Sequence, residues 1–100
     1  MNTAEFRNTV SRHRCRAFRT LMQPGSRGST TVTFFYDVNG TSKFVWLSAT
    51  TANAQPLLLP GFVFALERDW HISLFTENAR RVWGELVSAG WREIATGVIG

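Results

Sequence analysis

Hydrophobic and polar positions alternate most regularly between Thr30 and Ala49, TTVTFFYDVNGTSKFVWLSA. Alternation of period two marks a strand with one buried face. Asn39-Gly40 separates the two runs, and this pair tolerates the positive φ angles that a two-residue hairpin turn needs. The stretch therefore reads as a β-hairpin, with Val38 opposite Thr41, Phe35 opposite Phe44, Phe34 opposite Val45 and Val32 opposite Leu47. Val32, Phe34, Tyr36, Val38, Val45 and Leu47 then share one face, which is the core face. Phe35, Phe44 and Trp46 lie at the centre of the other, between Thr31, Thr33, Asp37, Ser42 and Ser48. That second face is either another core layer under a different part of the chain or an exposed aromatic platform.

The pattern changes on either side. Phe6, Val10, His13, Ala17 and Leu21 recur at spacings of three and four, which predicts a helix over residues 1–23. Arg12, Arg16 and Arg19 fall on its opposite side, and Cys15, Phe18 and Met22 form a second apolar strip. Pro24-Gly25 ends the helix, and residues 24–29 form a flexible linker. Beyond the hairpin, Phe62, Phe64 and Leu66 alternate with their neighbours, as do Trp70, Ile72 and Leu74. These runs predict a second hairpin connected by Glu67–Asp69; the alternative is one buried strand or short helix over Leu57–Leu66. Thr76 is an N-cap candidate for a second helix, lined by Ala79, Val82, Trp83, Leu86 and Val87 and stopped by a C′ glycine, Gly90. Trp91–Ile94 is a short final strand or a packed tail.

These elements give an α+β fold in a single domain, residues 1–100. A small antiparallel sheet of about four strands, in two hairpins, is packed by an N-terminal basic helix and a C-terminal amphipathic helix. Residues 30–95 hold the sheet and the second helix. The apolar content of 44% supports a modest core and excludes a disordered composition.

Charge changes the picture most. Residues 1–28 hold Arg7, Arg12, Arg14, Arg16, Arg19 and Arg27 against Glu5, so the whole net charge of +4 sits in this segment. The guanidinium fork binds phosphate or carboxylate in two places at once, and arginine outnumbers lysine ten to one. One cysteine, Cys15, excludes an internal disulfide and points to the cytoplasm or another reducing compartment. An acid-poor, Arg- and Ser-containing N-terminus also fits organellar targeting. No run is long and apolar enough for a membrane span.

Catalytic and cofactor motifs are not found. Two histidines and one cysteine lack metal-ligand spacing, His13 and Cys15 diverge on a helix, and Glu67, Asp69 and His71 read as a solvated turn. Arg14 and Arg16 flank Cys15 and would lower its pKa. Gly25–Ser29 is not a phosphate loop, because it lacks the preceding strand, the following helix and the lysine. The expectation is a non-enzymatic interaction protein with no cofactor. It would bind an acidic protein partner through the arginine-rich helix or a sheet edge, as an assembly subunit or a small inhibitor of the kind phages encode. Homo-oligomerisation through a sheet edge is open. The alternative is single-stranded nucleic-acid binding, with arginines on phosphates and Phe35, Phe44 and Trp46 stacking bases. The element order over residues 31–89 is similar to that of small single-strand-binding modules of the Pur and Whirly kind, a resemblance that implies the second reading.

Overall fold

The computed structural model describes residues 15–64 and 71–99. Among them, five strands form one antiparallel sheet: β1 (Ala17–Met22), β2 (Thr31–Tyr36), β3 (Phe44–Thr50), β6 (His71–Phe75) and β7 (Arg92–Val98). Their spatial order is β6-β3-β2-β1-β7. Two short strands, β4 (Leu57–Leu59) and β5 (Phe62–Phe64), make a separate hairpin. The one helix among the described residues, α1 (Thr76–Ser88), leads from β6 at one edge to β7 at the other.

The expected N-terminal basic helix is not what residues 17–22 form. Ala17–Met22 is a strand between β2 and β7, so the sheet has five strands rather than about four, and among the described residues a single α-helix packs on it. Residues 1–14, which carry the rest of that expectation, lie outside the described residues. The cause of the misreading is local ambiguity. A spacing of four, as between Ala17 and Leu21, satisfies a helix face and a strand face equally. The alternation Ala17, Arg19, Leu21 against Phe18, Thr20, Met22 becomes decisive only when strands on both sides take up the backbone hydrogen bonds. Residues 24–29, expected as a linker after the helix, lie instead in the β1–β2 hairpin loop, residues 23–30. It is closed by Gln23 N–H to Thr30 O at 3.0 Å and by the Ser26 hydroxyl to Gln23 O at 2.8 Å.

The β2–β3 hairpin is present with a different turn. Phe35 pairs with Trp46, Phe34 with Leu47 and Thr31 with Thr50, two residues away from the expected register. An even shift preserves both faces. Asn39-Gly40 is not a two-residue turn: Gly40 takes φ 69°, its N–H donates to Asp37 O at 3.0 Å, and the chain loops out over residues 37–43. The Asp37 carboxylate organises this loop, accepting the Asn39 and Thr41 N–H groups at 3.0 Å each, Ser42 N–H at 3.1 Å and the Thr41 hydroxyl. An aspartate that offers the backbone this many acceptors outcompetes the tight turn.

The second hairpin is also re-partnered. Leu57 pairs with Phe64 and Leu59 with Phe62 around Pro60-Gly61, where Gly61 has φ 86°. Proline followed by a left-handed glycine is a type II turn. β6 pairs instead with β3, Phe44 against Phe75 and Leu47 against Ile72. The expected connection Glu67–Asp69 lies outside the described residues.

One sheet face carries the main core. Leu21, Val32, Phe34, Val45 and Leu47 pack against Ala79, Val82 and Leu86 of α1, with Leu57, Leu59 and Trp91 closing the sides. α1 ends at the expected glycine. Gly90 has φ 96°, its N–H donates to Val87 O at 3.0 Å, and Trp91 N–H donates to Leu86 O at 3.0 Å. This is the Schellman arrangement, and its usual apolar contact is provided by Trp91 and Leu86, both buried in the core. At the other end Phe75 holds the N-cap position; Thr76, the expected cap, gives its hydroxyl and N–H to Lys43 O at 3.1 and 3.0 Å. The opposite sheet face holds a smaller cluster of Cys15 with Phe35, Trp46 and Ile99. Beside it the Phe18 ring lies over Gly97, where a Cβ would fall 3.0 Å from the ring carbon Cζ.

Candidate functional site

The first turns of α1 stand over the ends of β2 and β3, where the long Asp37 loop holds the strands' tips apart. The result is an open groove of about 620 Å³. Phe34, Tyr36 and Val45 come from the strands; Ala79, Arg80 and Trp83 come from the helix; Asp37, Ser42 and Phe44 lie toward the loop end. Aromatic rings therefore make up much of the lining, and charged groups accompany them. A concave apolar site with a few polar groups is the usual form of a binding pocket.

Arg19 builds the wall. Strand register sets it beside Phe34, facing the helix. Its guanidinium carbon lies 4.3 Å from the Trp83 ring centroid, and Trp83 meets Phe34 edge-on at 5.2 Å. Glu93 of β7 accepts both Nε–H and Nη2–H of Arg19, the latter at 3.0 Å. This forked hydrogen bond raises the Arg19 pKa further and lowers that of Glu93. Arg19, though exposed, is thus engaged by the chain's own groups, stacked on Trp83 on one side and paired with Glu93 on the other. Its position differs from the outward helix face read from the sequence.

Asp37 is similarly occupied. The Thr41 hydroxyl, then the Asn39 N–H, hold its carboxyl below the ordinary carboxylate range. A depressed pKa stabilises the fold above the unfolded-state value, about 3.9, and that contribution is lost as pH falls through the folded-state value. Stability measured by urea denaturation is accordingly expected to be flat above about pH 5 and to decline below about pH 4. Asp37→Asn should flatten part of the acid decline, leaving the part due to Glu93, whose pKa is lowered by Arg19 in the same direction.

The remaining sequence-derived residues are dispersed. Arg16 is exposed at the start of β1, and Arg27 is exposed in the β1–β2 loop with φ 55°. The strand Ala17–Met22 separates them. Arg7, Arg12 and Arg14 lie outside the described residues. Phe35 and Trp46 are half-buried cross-strand neighbours packed with Cys15 and Ile99, and Phe18 lies 6.1 Å from Phe35. Phe44 leaves this group and stacks on Phe75 with centroids 5.1 Å apart. The structure therefore aligns Phe18, Phe35 and Trp46 across three strands, rather than gathering Phe35, Phe44 and Trp46. Cys15 is fully buried, with Sγ 3.4 Å from Phe44 O and 3.5 Å from Ser42 Oγ. Burial pushes its thiol pKa up, against the lowering expected from flanking arginines.

Sequence reasoning missed Tyr36, Arg80 and Trp83 as groove residues. The available signal was a tryptophan at the margin of the α1 stripe, one turn after Arg80, but its partner Arg19 is distant in sequence. Among the described residues, no cluster of His, Cys, Asp or Glu is placed to hold a metal ion, and no helix is long and apolar enough to cross a membrane. Comparison of the chain with protein-family models, with curated proteins and with solved structures finds no match.

Proposed function

We propose that this is a non-enzymatic interaction protein whose groove, between α1 and the β2–β3 ends, receives an acidic segment of a protein partner. The observation that supports this most is the state of the groove's charges. Arg19 is spent on Glu93 and Trp83, and Asp37 is spent on its own loop. Arg80, exposed on α1 beside the groove, is the cation that would meet a partner carboxylate, with the exposed Glu77 one turn earlier setting which side of Arg80 it approaches, while the aromatic lining takes an apolar side chain next to it. Tryptophan, tyrosine and arginine are the residues that dominate interface energies. The net charge of +4 steers an acidic partner toward the molecule.

The test uses a short synthetic peptide with one leucine or tryptophan flanked by glutamates, and its lysine-flanked counterpart, followed by ¹H–¹⁵N correlation spectra. The acidic peptide should shift the amides of Tyr36, Gly40, Glu77 and Arg80, and the basic one should not. Arg80→Glu should weaken the binding tenfold or more. Absence of such shifts at millimolar peptide would end this reading.

A single-stranded nucleic-acid role is favoured by one observation, the row of Phe18, Phe35 and Trp46 in register across β1, β2 and β3. Anisotropy of labelled single-stranded DNA and RNA against salt tests it. The reading requires a steep salt slope that flattens in an Arg12/Arg16→Ala variant, and a loss of about 1–3 kcal/mol for Trp46→Ala.

A further inference from the structure

We propose that Arg19 is a second carboxylate position of this groove and that Glu93 is its resident, a built-in competitor that a partner with two acidic side chains displaces. This rests on the groove reading above and adds how the partner's second acid is held. Three observations lead there. First, β7 is shaped to aim Glu93 at Arg19. Thr20 pairs with Ala95 but Leu21 pairs with Glu93, so β7 carries one extra residue, Ile94, at this point. Without that bulge Ile94 would stand opposite Leu21, and Glu93 would point to the other face of the sheet. With it, Glu93 shares a face with Leu21, and so with Arg19 two residues away. Bulges re-aim side chains in this way beside binding sites.

Second, the position is formed for a carboxylate and open to exchange. The Trp83 ring, 4.3 Å from the guanidinium carbon, fixes the plane of Arg19. The Nε–Nη2 edge then meets both oxygens of Glu93, with Nη2 at 3.0 Å. Arg19 and Trp83 line the groove, whereas Glu93 reaches Arg19 from β7, outside it. The two side chains are 44% and 35% exposed, so water and salt screen the pair, and replacing one carboxylate by another costs little.

Third, the groove has a cation on each of two walls. Arg19 comes from the sheet and Arg80 from the helix, with the rings of Phe34, Tyr36 and Trp83 in the same lining. A segment of the order acid, apolar, acid can lay its middle side chain on the rings, one acid on Arg80 and the other on Arg19. A partner with a single acid gains Arg80 alone, because Glu93 keeps Arg19 filled. The resident carboxylate therefore sets selectivity by excluding ligands that bring too little.

The test titrates the peptide with glutamates on both sides of its leucine or tryptophan into four forms of the protein. Glu93→Gln keeps the shape of the side chain and removes its charge, and it should bind the peptide about threefold to fivefold tighter than the wild type. Adding Arg19→Lys to Glu93→Gln keeps the net charge and loses the fork, and should abolish the gain. Glu85→Gln makes the same change of net charge on α1, at a residue paired with Arg81 and outside the groove lining, and should give no such gain. The wild type supplies a reading that does not depend on a variant's folding: the Arg19 Nε–H resonance should move as the peptide saturates. Wild-type binding with an unmoved Arg19 resonance, or with equal affinities for Glu93→Gln and Glu85→Gln, overturns this proposal and leaves the groove reading standing. No binding to either the wild type or Glu93→Gln overturns both.

Discussion

Leu47→Ala is expected to cost about 3 kcal/mol, the middle of the range for truncating a fully buried leucine. Leu47 is completely buried in β3, paired with Phe34 on one side and Ile72 on the other, and it belongs to the cluster that α1 covers. Neighbours held by two strand ladders and a helix cannot collapse readily into the space, so the cavity adds to the lost transfer energy. A domain of this size has about 5–15 kcal/mol in all, and each kcal/mol moves its midpoint by about 4–8 °C. The variant should therefore unfold about 15 °C lower. Leu58→Ala is the matched control: the same substitution on β4, at a side chain 76% exposed, should change stability by no more than about 0.5 kcal/mol. Equal losses at the two positions, by urea denaturation, would contradict the assignment of β3 to the centre of the fold.

Trp83→Ala is expected to cost about 2–3 kcal/mol, below the full range for a buried tryptophan because the ring is half-exposed. Two contacts are lost together, the edge-on meeting with Phe34 and the stack under Arg19. Each is worth about 0.5–1.5 kcal/mol beyond the area covered. The guanidinium of Arg19 then keeps Glu93 but loses the surface that positions it. Trp83→Phe should recover about half of the loss, since a smaller ring preserves both contacts in weaker form. A loss under about 0.5 kcal/mol, as for an ordinary surface residue, would remove Trp83 from its role as the groove wall. The same two variants separate stability from binding: in the acidic-peptide titration, Trp83→Phe should remain folded yet bind more weakly.

Some of this architecture was legible in the chain. The alternation over residues 31–36 and 44–50 yields both strands and the correct division of their faces, because an even register shift leaves every side chain on its side. The spacing of Ala79, Val82 and Leu86 yields α1, and Gly90 its end, because capping chemistry is contained within a few residues. Pro60-Gly61 was legible as a break, and its turn type became clear once Leu57–Leu59 and Phe62–Phe64 were paired. Asp37 was visible only as an acid beside a turn. Its grip on three backbone N–H groups, which lengthens the loop and opens the groove mouth, needed the folded loop.

The groove itself was not legible. Arg19 and Trp83 are 64 positions apart, and nothing in a local window says that a strand arginine will lie over a helix tryptophan. The arginines were read as one surface because they are close in sequence, yet β1 holds Arg19 against the helix and leaves Arg16 and Arg27 near its two ends. By itself the sequence determined the side-chain periodicity of β2 and β3, the apolar stripe and the stop of α1, and the concentration of positive charge before residue 29. Those follow from interactions within a turn or a strand. Only the tertiary structure decided that Ala17–Met22 is a strand, that β7 closes the sheet beside it, and that an aromatic groove lies at the loop end. Each of these depends on a backbone partner far along the chain, and the hydrogen bonds of a strand, unlike those of a helix, are made with whatever segment the fold brings alongside.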